Sequence, residues 1–217
     1  MTSRGFENYP FIPDFSNLGF DTGVAFVVSA LLAILVNAEA QGWMATLLGD
    51  YDPEYKDRFH FNVFFHLSVL GSLCYLVAGF GWPKPVRINP ANFKYPRLYT
   101  ILVRFTGMFA NFMLANIAAS LVFVIRFIDF DPLVFLMVAG VNLATAVYHL
   151  IPLPPLAAGS LITVWLPDYS PRQRRAVYYS GSLIILAILG AERITGVGIF
   201  RPYLDPLVRA LLRFLVA

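Results

Sequence analysis

The chain has 217 residues, 58% of them hydrophobic and 13% charged, with a mean hydropathy of +0.66. A soluble domain carries about 25% charged residues, so this balance excludes an ordinary water-soluble globule. It indicates a chain solvated by lipid, where helices satisfy the backbone internally. The net charge of +3 and the pI near 9.1 come from Lys and Arg in the connecting segments, which read as topology signals and headgroup contacts and not as a nucleic-acid footprint.

Residues 1–20 are polar and aromatic, with Pro10 and Pro13, and lack the apolar core and cleavage site of a signal peptide. The first 22 residues read as an arm bound to a surface or partner, with Phe6, Tyr9, Phe11, Phe15 and Phe20 as candidate anchors, because aromatic side chains dominate interface energetics. A spanning helix needs roughly 20 mostly apolar residues. Such stretches predict helices at about 23–48, 61–82, 98–127, 132–152 and 176–191.

A shorter apolar stretch, 155–167, follows Pro152, Pro154 and Pro155. Each proline removes an N–H and restricts the residue before it. The pattern therefore predicts two helical pieces joined by an extended break at membrane depth, which is tolerated only when buried in protein or lining a cavity. Between 82 and 98, WPKPVRINPANFKYPRL predicts an extended interfacial loop, with Trp82, Phe93 and Tyr95 at headgroup level beside Lys84, Arg87, Lys94 and Arg97. Residues 168–175 (DYSPRQRR) read as a second basic loop. From Pro206 onward, Arg209 and Arg213 lie four residues apart on one face of a short helix suited to a membrane surface or a partner.

The fold class this predicts is an all-α polytopic membrane protein of about six transmembrane helices, one interrupted by a proline-rich break. It divides into an arm (1–22), a transmembrane domain (23–192) and a C-terminal amphipathic segment (193–217), and the expected location is a prokaryotic-type inner (cytoplasmic) membrane. Cys74 is the single cysteine, so no internal disulfide forms. Glu39 is an intramembrane carboxylate, a costly placement; it is expected to pair with Arg104 or Arg126, or to face a partner. Gly107, Gly140, Ala110, Ala144 and Ala146 are small residues that permit close helix packing.

Several motifs follow one another along residues 30–167: NAEAQGWMATLLGD at 37–50, DRFHFNVFFHLSVLG at 57–71, GFGWPKPVRINPANFKYPR at 79–97, TGMFANFMLA at 106–115 and YHLIPLPPLAAG at 148–159. In this order and spacing the chain resembles the site-2 protease family of intramembrane zinc metalloproteases. That resemblance implies a zinc held by the two His of H-E-x-x-H and the Asp of an L-D-G motif, with the Glu moving the proton of the bound water. Aligned on Gly49 and Asp50, this sequence has Asn37 and Gln41 where the two His stand, Ala38 at the general base and Ala157 at the third ligand. His149 stands at the family's Asn before L-x-P, and Met108 replaces the Pro of A-G-P while Gly107, Ala110 and Asn111 remain.

Carboxamides bind zinc poorly and alanine not at all, so the sequence reading is the family's fold without its activity: a pseudoprotease, not an enzyme, with no zinc. Asn37 and Gln41 share a helix face and, with His149, form a candidate polar pocket; the alternative is an ordinary interhelical hydrogen bond. His66 and His149, with Cys74, are candidate ligands of a haem, or else hydrogen-bonded core histidines. The expected function is a non-catalytic structural or accessory subunit of a larger membrane complex, with other integral membrane subunits and lipids as partners and no nucleic acid. The alternatives are an electron-transfer subunit holding haem or quinone, and a repurposed or residual metalloprotease.

Overall fold

A computed structural model of the protein describes residues 19–51, 61–128, 131–166 and 170–216. Four of the candidate anchors, Phe6, Tyr9, Phe11 and Phe15, lie outside the described residues; Phe20 is exposed at the start of the first helix. Among the described residues the structure is built of α-helices: α1 (Phe20–Leu47), α2 (Val63–His66), α3 (Val69–Ala78), α4 (Pro96–Ile125), α5 (Leu133–Tyr148), α6 (Ser160–Thr163), α7 (Pro171–Thr195) and α8 (Arg201–Val216).

Three of these helices are long and apolar enough to cross a membrane: α1, α4, and residues 172–195 of α7. At 1.5 Å per residue, α1 reaches about 42 Å, against about 30 Å for a hydrocarbon core. Their outer faces carry exposed Val24, Val27, Phe109, Ile117, Leu183 and Ile184, the apolar exterior that a lipid solvent requires. Among the described residues these three are candidate membrane spans of a helical structure, α3 and α5 are apolar but shorter, and the expected six spans go beyond these three.

The remaining expected spans are shortened for identifiable reasons. The 61–82 stretch breaks into α2 and α3 because Leu67 turns extended and Ser68 caps the new helix, its side chain accepting from Gly71 N at 3.2 Å. The chain returns along this break, with Leu67 bridged to Pro83 and Lys84 N donating to His66 O at 2.7 Å. The 155–167 stretch holds only a 3-10 turn at Ala157–Gly159 and the four-residue α6. Residues 171–175 open α7 and are not a loop. Ser170 and Gln173 form a reciprocal capping box and Pro171 sits in the first turn, where its missing N–H costs nothing. The C-terminal helix likewise begins before Pro206, at Arg201.

Helix α5 is the hub. Every residue from Leu136 to Tyr148 is buried, and it packs against α1, α4 and α8. A helix apolar all round belongs in an interior. Around it, Phe80 stacks on Tyr148 with ring centroids 4.2 Å apart, and Trp82 is 1% exposed. Trp82 and Phe93 are therefore packed inside the protein, whereas Tyr95 stays exposed.

A second feature fixes the 84–97 loop. Gly49 takes φ of 105°, a left-handed conformation that favours glycine, and this turns the buried Asp50 carboxylate toward the loop. There it accepts from Asn89 N at 2.9 Å and from Asn92 Nδ2 at 2.9 Å. Hydrogen bonds to a charged group are each worth about 1.5–3 kcal/mol. Asp50→Ala should therefore lower unfolding stability by about 2 kcal/mol and expose residues 84–95 to limited proteolysis; an unchanged digestion pattern would refute this latch.

Candidate functional site

Asn37 and Gln41, two of the positions singled out by the resemblance, lie where α1 crosses α4. Asn37 and Gln41 are one turn apart on α1, and Gln41 Nε2 donates to Asn37 Oδ1 at 2.7 Å. From α4, Arg104 Nη1 donates to Gln41 Oε1 at 2.8 Å, and its Nη2 donates to Val86 O of the interfacial loop at 3.2 Å. The result is a directed relay from guanidinium to amide to amide. It is made close by Gly107, where a Cβ would lie 2.5 Å from Asn37 Oδ1 and 2.8 Å from Gln41 Nε2. Gln41 pairs with 104 and Asn37 meets 107, so the two helices run antiparallel at the site.

The relay ends without an acceptor. Asn37 and Asn111 are 0% exposed. Asn37 Nδ2 and both side-chain polar atoms of Asn111 have no hydrogen-bond partner among the described residues. Gly107 and Asn111 are four residues apart and share one face of α4, the face that meets Asn37.

The other singled-out residues lie elsewhere. Ala38 and Ala157 are buried methyls. Ala157 is on the 3-10 turn that packs against α4, and the proline segment before it is closed by Ala158 N donating to His149 O at 3.0 Å. His149 Nε2 donates to Gly81 O at 3.1 Å, outside the Asn37–Gln41 relay. His66 Nε2 lies 3.0 Å from Glu39 Oε1, which also accepts from Phe61 N at 3.0 Å. Glu39 thus pairs with His66, correcting the expected pairing with Arg104: the Arg104 guanidinium is directed to Gln41, while Glu39 points to the α2 side. Both histidines, candidates for haem ligation or for hydrogen-bonded core positions, use their Nε2 atoms in these bonds. Cys74 is buried in the apolar core.

Zinc needs three lone-pair donors around one point. Among the described residues no group of three or more His, Cys, Asp or Glu is placed to hold a metal ion. At positions 37, 41 and 157 the chain offers two carboxamides and a methyl, and the one free-facing amide oxygen, that of Gln41, is occupied by a guanidinium. A cation beside Arg104 would meet like charge. These residues do not fit a zinc ion.

Sequence reasoning found Asn37, Gln41 and Gly107 but missed their link to Arg104. An Arg seven residues after Arg97, inside an otherwise apolar span, was the available signal. It also missed Glu192 and Asp205. Glu192 accepts from the backbone N–H groups of Ile199, Phe200 and Arg201, and Asp205 accepts from Tyr148 Oη at 2.5 Å. Glu192 thereby fastens the start of α8 to α7, and Asp205 fastens α8 to the hub.

No protein-family model matches the chain, and no solved structure matches it. It is 26% identical over 204 residues to a Bacillus subtilis (strain 168) protein described as "Putative zinc metalloprotease YwhC", a match covering 84% of this chain and 93% of the relative. This corrects the expectation that the chain is not an enzyme. That expectation rested on residues 37, 38, 41 and 157 alone, whereas the relative's description points to protease activity. The likeness, extending over most of both chains, supports a site-2-protease-like relationship for this protein.

Proposed function

We propose that the chain works as an accessory subunit of a larger complex in a prokaryotic-type inner membrane, using a site-2-protease-like helical body to hold partner membrane segments. The observation that supports this reading is the relay itself. The helix crossing where the resemblance implies zinc ligands is filled by Asn37, Gln41 and Arg104 bonded to one another. The exposed apolar faces of α1, α4 and α7 offer partner helices the same solvent-like contact that lipid does, and small residues allow close approach.

The relative's description favours a second reading, peptide-bond hydrolysis within the membrane. Gentle detergent purification of the tagged full chain separates the two. The accessory reading expects stoichiometric membrane subunits to co-purify with the chain. Isolation as a lone monomer that cleaves a model transmembrane substrate, with cleavage lost in Gln41→Leu, would overturn it in favour of the second.

A further inference from the structure

The relay differs in polarity from a metal site. A metal centre presents lone pairs inward, whereas here the guanidinium and the Asn37 amide present N–H groups, with Asn111 Oδ1 the single unpartnered oxygen beside them. Arg104 carries five N–H donors, and two of them are used, both on neutral acceptors, Gln41 Oε1 and Val86 O. No carboxylate pairs with it among the described residues. Beyond it, Asn37 Nδ2 and the Asn111 amide are fully buried and unpartnered. Such groups in a native interior are nearly always satisfied by something, protein or otherwise. An uncompensated guanidinium in a membrane helix also calls for a counter-charge.

We propose that Arg104, with the amides of Asn37, Gln41 and Asn111, forms an intramembrane binding site for a carboxylate carried on an apolar tail. A carboxylate supplies what the site lacks: a negative charge for the guanidinium and lone pairs for the amide N–H groups. It is planar and accepts bidentately from Arg. The route to the site is from the interface. Arg104 is only half-buried, two turns into α4, and it reaches the carbonyl of Val86 in the 84–97 loop. Half-buried Ile101, one turn before Arg104 on the same face of α4, lies beside that route. The inference stands independently of the accessory reading, since a ligand of this chemistry would occupy the site in a subunit or in a protease alike.

Two sources present this chemistry, a fatty carboxylate and the free C-terminus of an apolar peptide. The test uses the full chain in phosphatidylcholine nanodiscs, with 13C-carboxyl octanoate and N-acetyl-trileucine as probes and octanol and N-acetyl-trileucine amide as neutral controls. Saturable binding of at least one acid, not displaced by its neutral control, is expected. Arg104→Gln and the near-isosteric Asn111→Asp should each weaken it about tenfold or more, and Arg104→Lys less. Which acid binds identifies the source. The proposal is overturned if neutral controls compete equally, if neither acid binds saturably, or if Asn111→Asp, folded by size exclusion, binds as well as the parent. Because the wild-type competition and Asn111→Asp decide the matter alone, misfolding of Arg104→Gln leaves the test intact. Tight stoichiometric zinc that requires Gln41 would equally overturn it.

Discussion

Gly107→Leu is expected to unfold the crossing of α1 and α4. The first added atom would already lie 2.5 Å from Asn37 Oδ1 and 2.8 Å from the Asn37 carbonyl, and the rest of the side chain has nowhere to go. The helices must separate, and separation stretches every bond of the relay, including those from Arg104. Overpacking of this kind costs typically 1–3 kcal/mol. Because buried polar partners are lost with it, the effect should reach about 3 kcal/mol or more. Gly190→Leu on α7 is the control, since a Cβ there meets nothing within 4 Å. Denaturant unfolding in detergent reads both variants. Equal midpoints would show that α1 and α4 do not meet at Gly107.

Glu192→Ala is expected to release α8. Glu192 is 4% exposed, and its two carboxylate oxygens take the backbone N–H groups of Ile199, Phe200 and Arg201, the last at 3.4 Å and that of Phe200 at 2.6 Å. These are the donors at the start of a helix, which have no partner within the helix itself, and a carboxylate also suits the positive end of the helix dipole. Removing it leaves three N–H groups without an acceptor, for a loss of about 3 kcal/mol at 1–3 kcal/mol per orphaned group with partial rehydration. Limited proteolysis should then cut near 197–200 and free a C-terminal fragment, while Glu192→Gln, which keeps one acceptor oxygen, should be cut more slowly. If both variants resist digestion as the parent does, the packing of Val208, Leu212 and Val216 and the Asp205–Tyr148 bond hold α8 without Glu192.

Where the sequence was legible, one physical signal dominated. Uninterrupted apolar length gave α1 and α4 to within a few residues. The proline run correctly ended a helix, with α5 stopping at Tyr148. Legibility failed where two signals competed. The 61–82 stretch is as apolar as a span, but Ser68 prefers a cap and Leu67 an extended turn, and nothing in hydropathy reports that. Charge hid the start of α7, because the Ser170–Gln173 capping box lies within the basic run that had read as a loop.

At the candidate site, positions 37 and 41 were found through the family resemblance, by aligning on Gly49 and Asp50. Their bond to Arg104 was not, because pairing across 63 residues depends on how α4 turns about its axis. The pairing of Glu39 was missed for the same reason: its helix face is readable, but its neighbour across 27 residues is not. Correcting the enzyme expectation required the relative, since no single substituted position reports what a whole chain does.

The enclosed hub dictates an order of biogenesis. At 16 residues, or about 24 Å, α5 falls short of the bilayer's roughly 30 Å hydrocarbon core, so a translating ribosome delivers a segment that gains little by partitioning into lipid alone. It settles only once α1 and α4 are already inserted to receive it. Its flank toward α8 stays open until α8 has been synthesised. Nascent chains stalled before residue 201 should accordingly remain associated with insertion machinery or be cleared by membrane proteases, and packing of the hub should be limited by the arrival of the sixteen residues of α8.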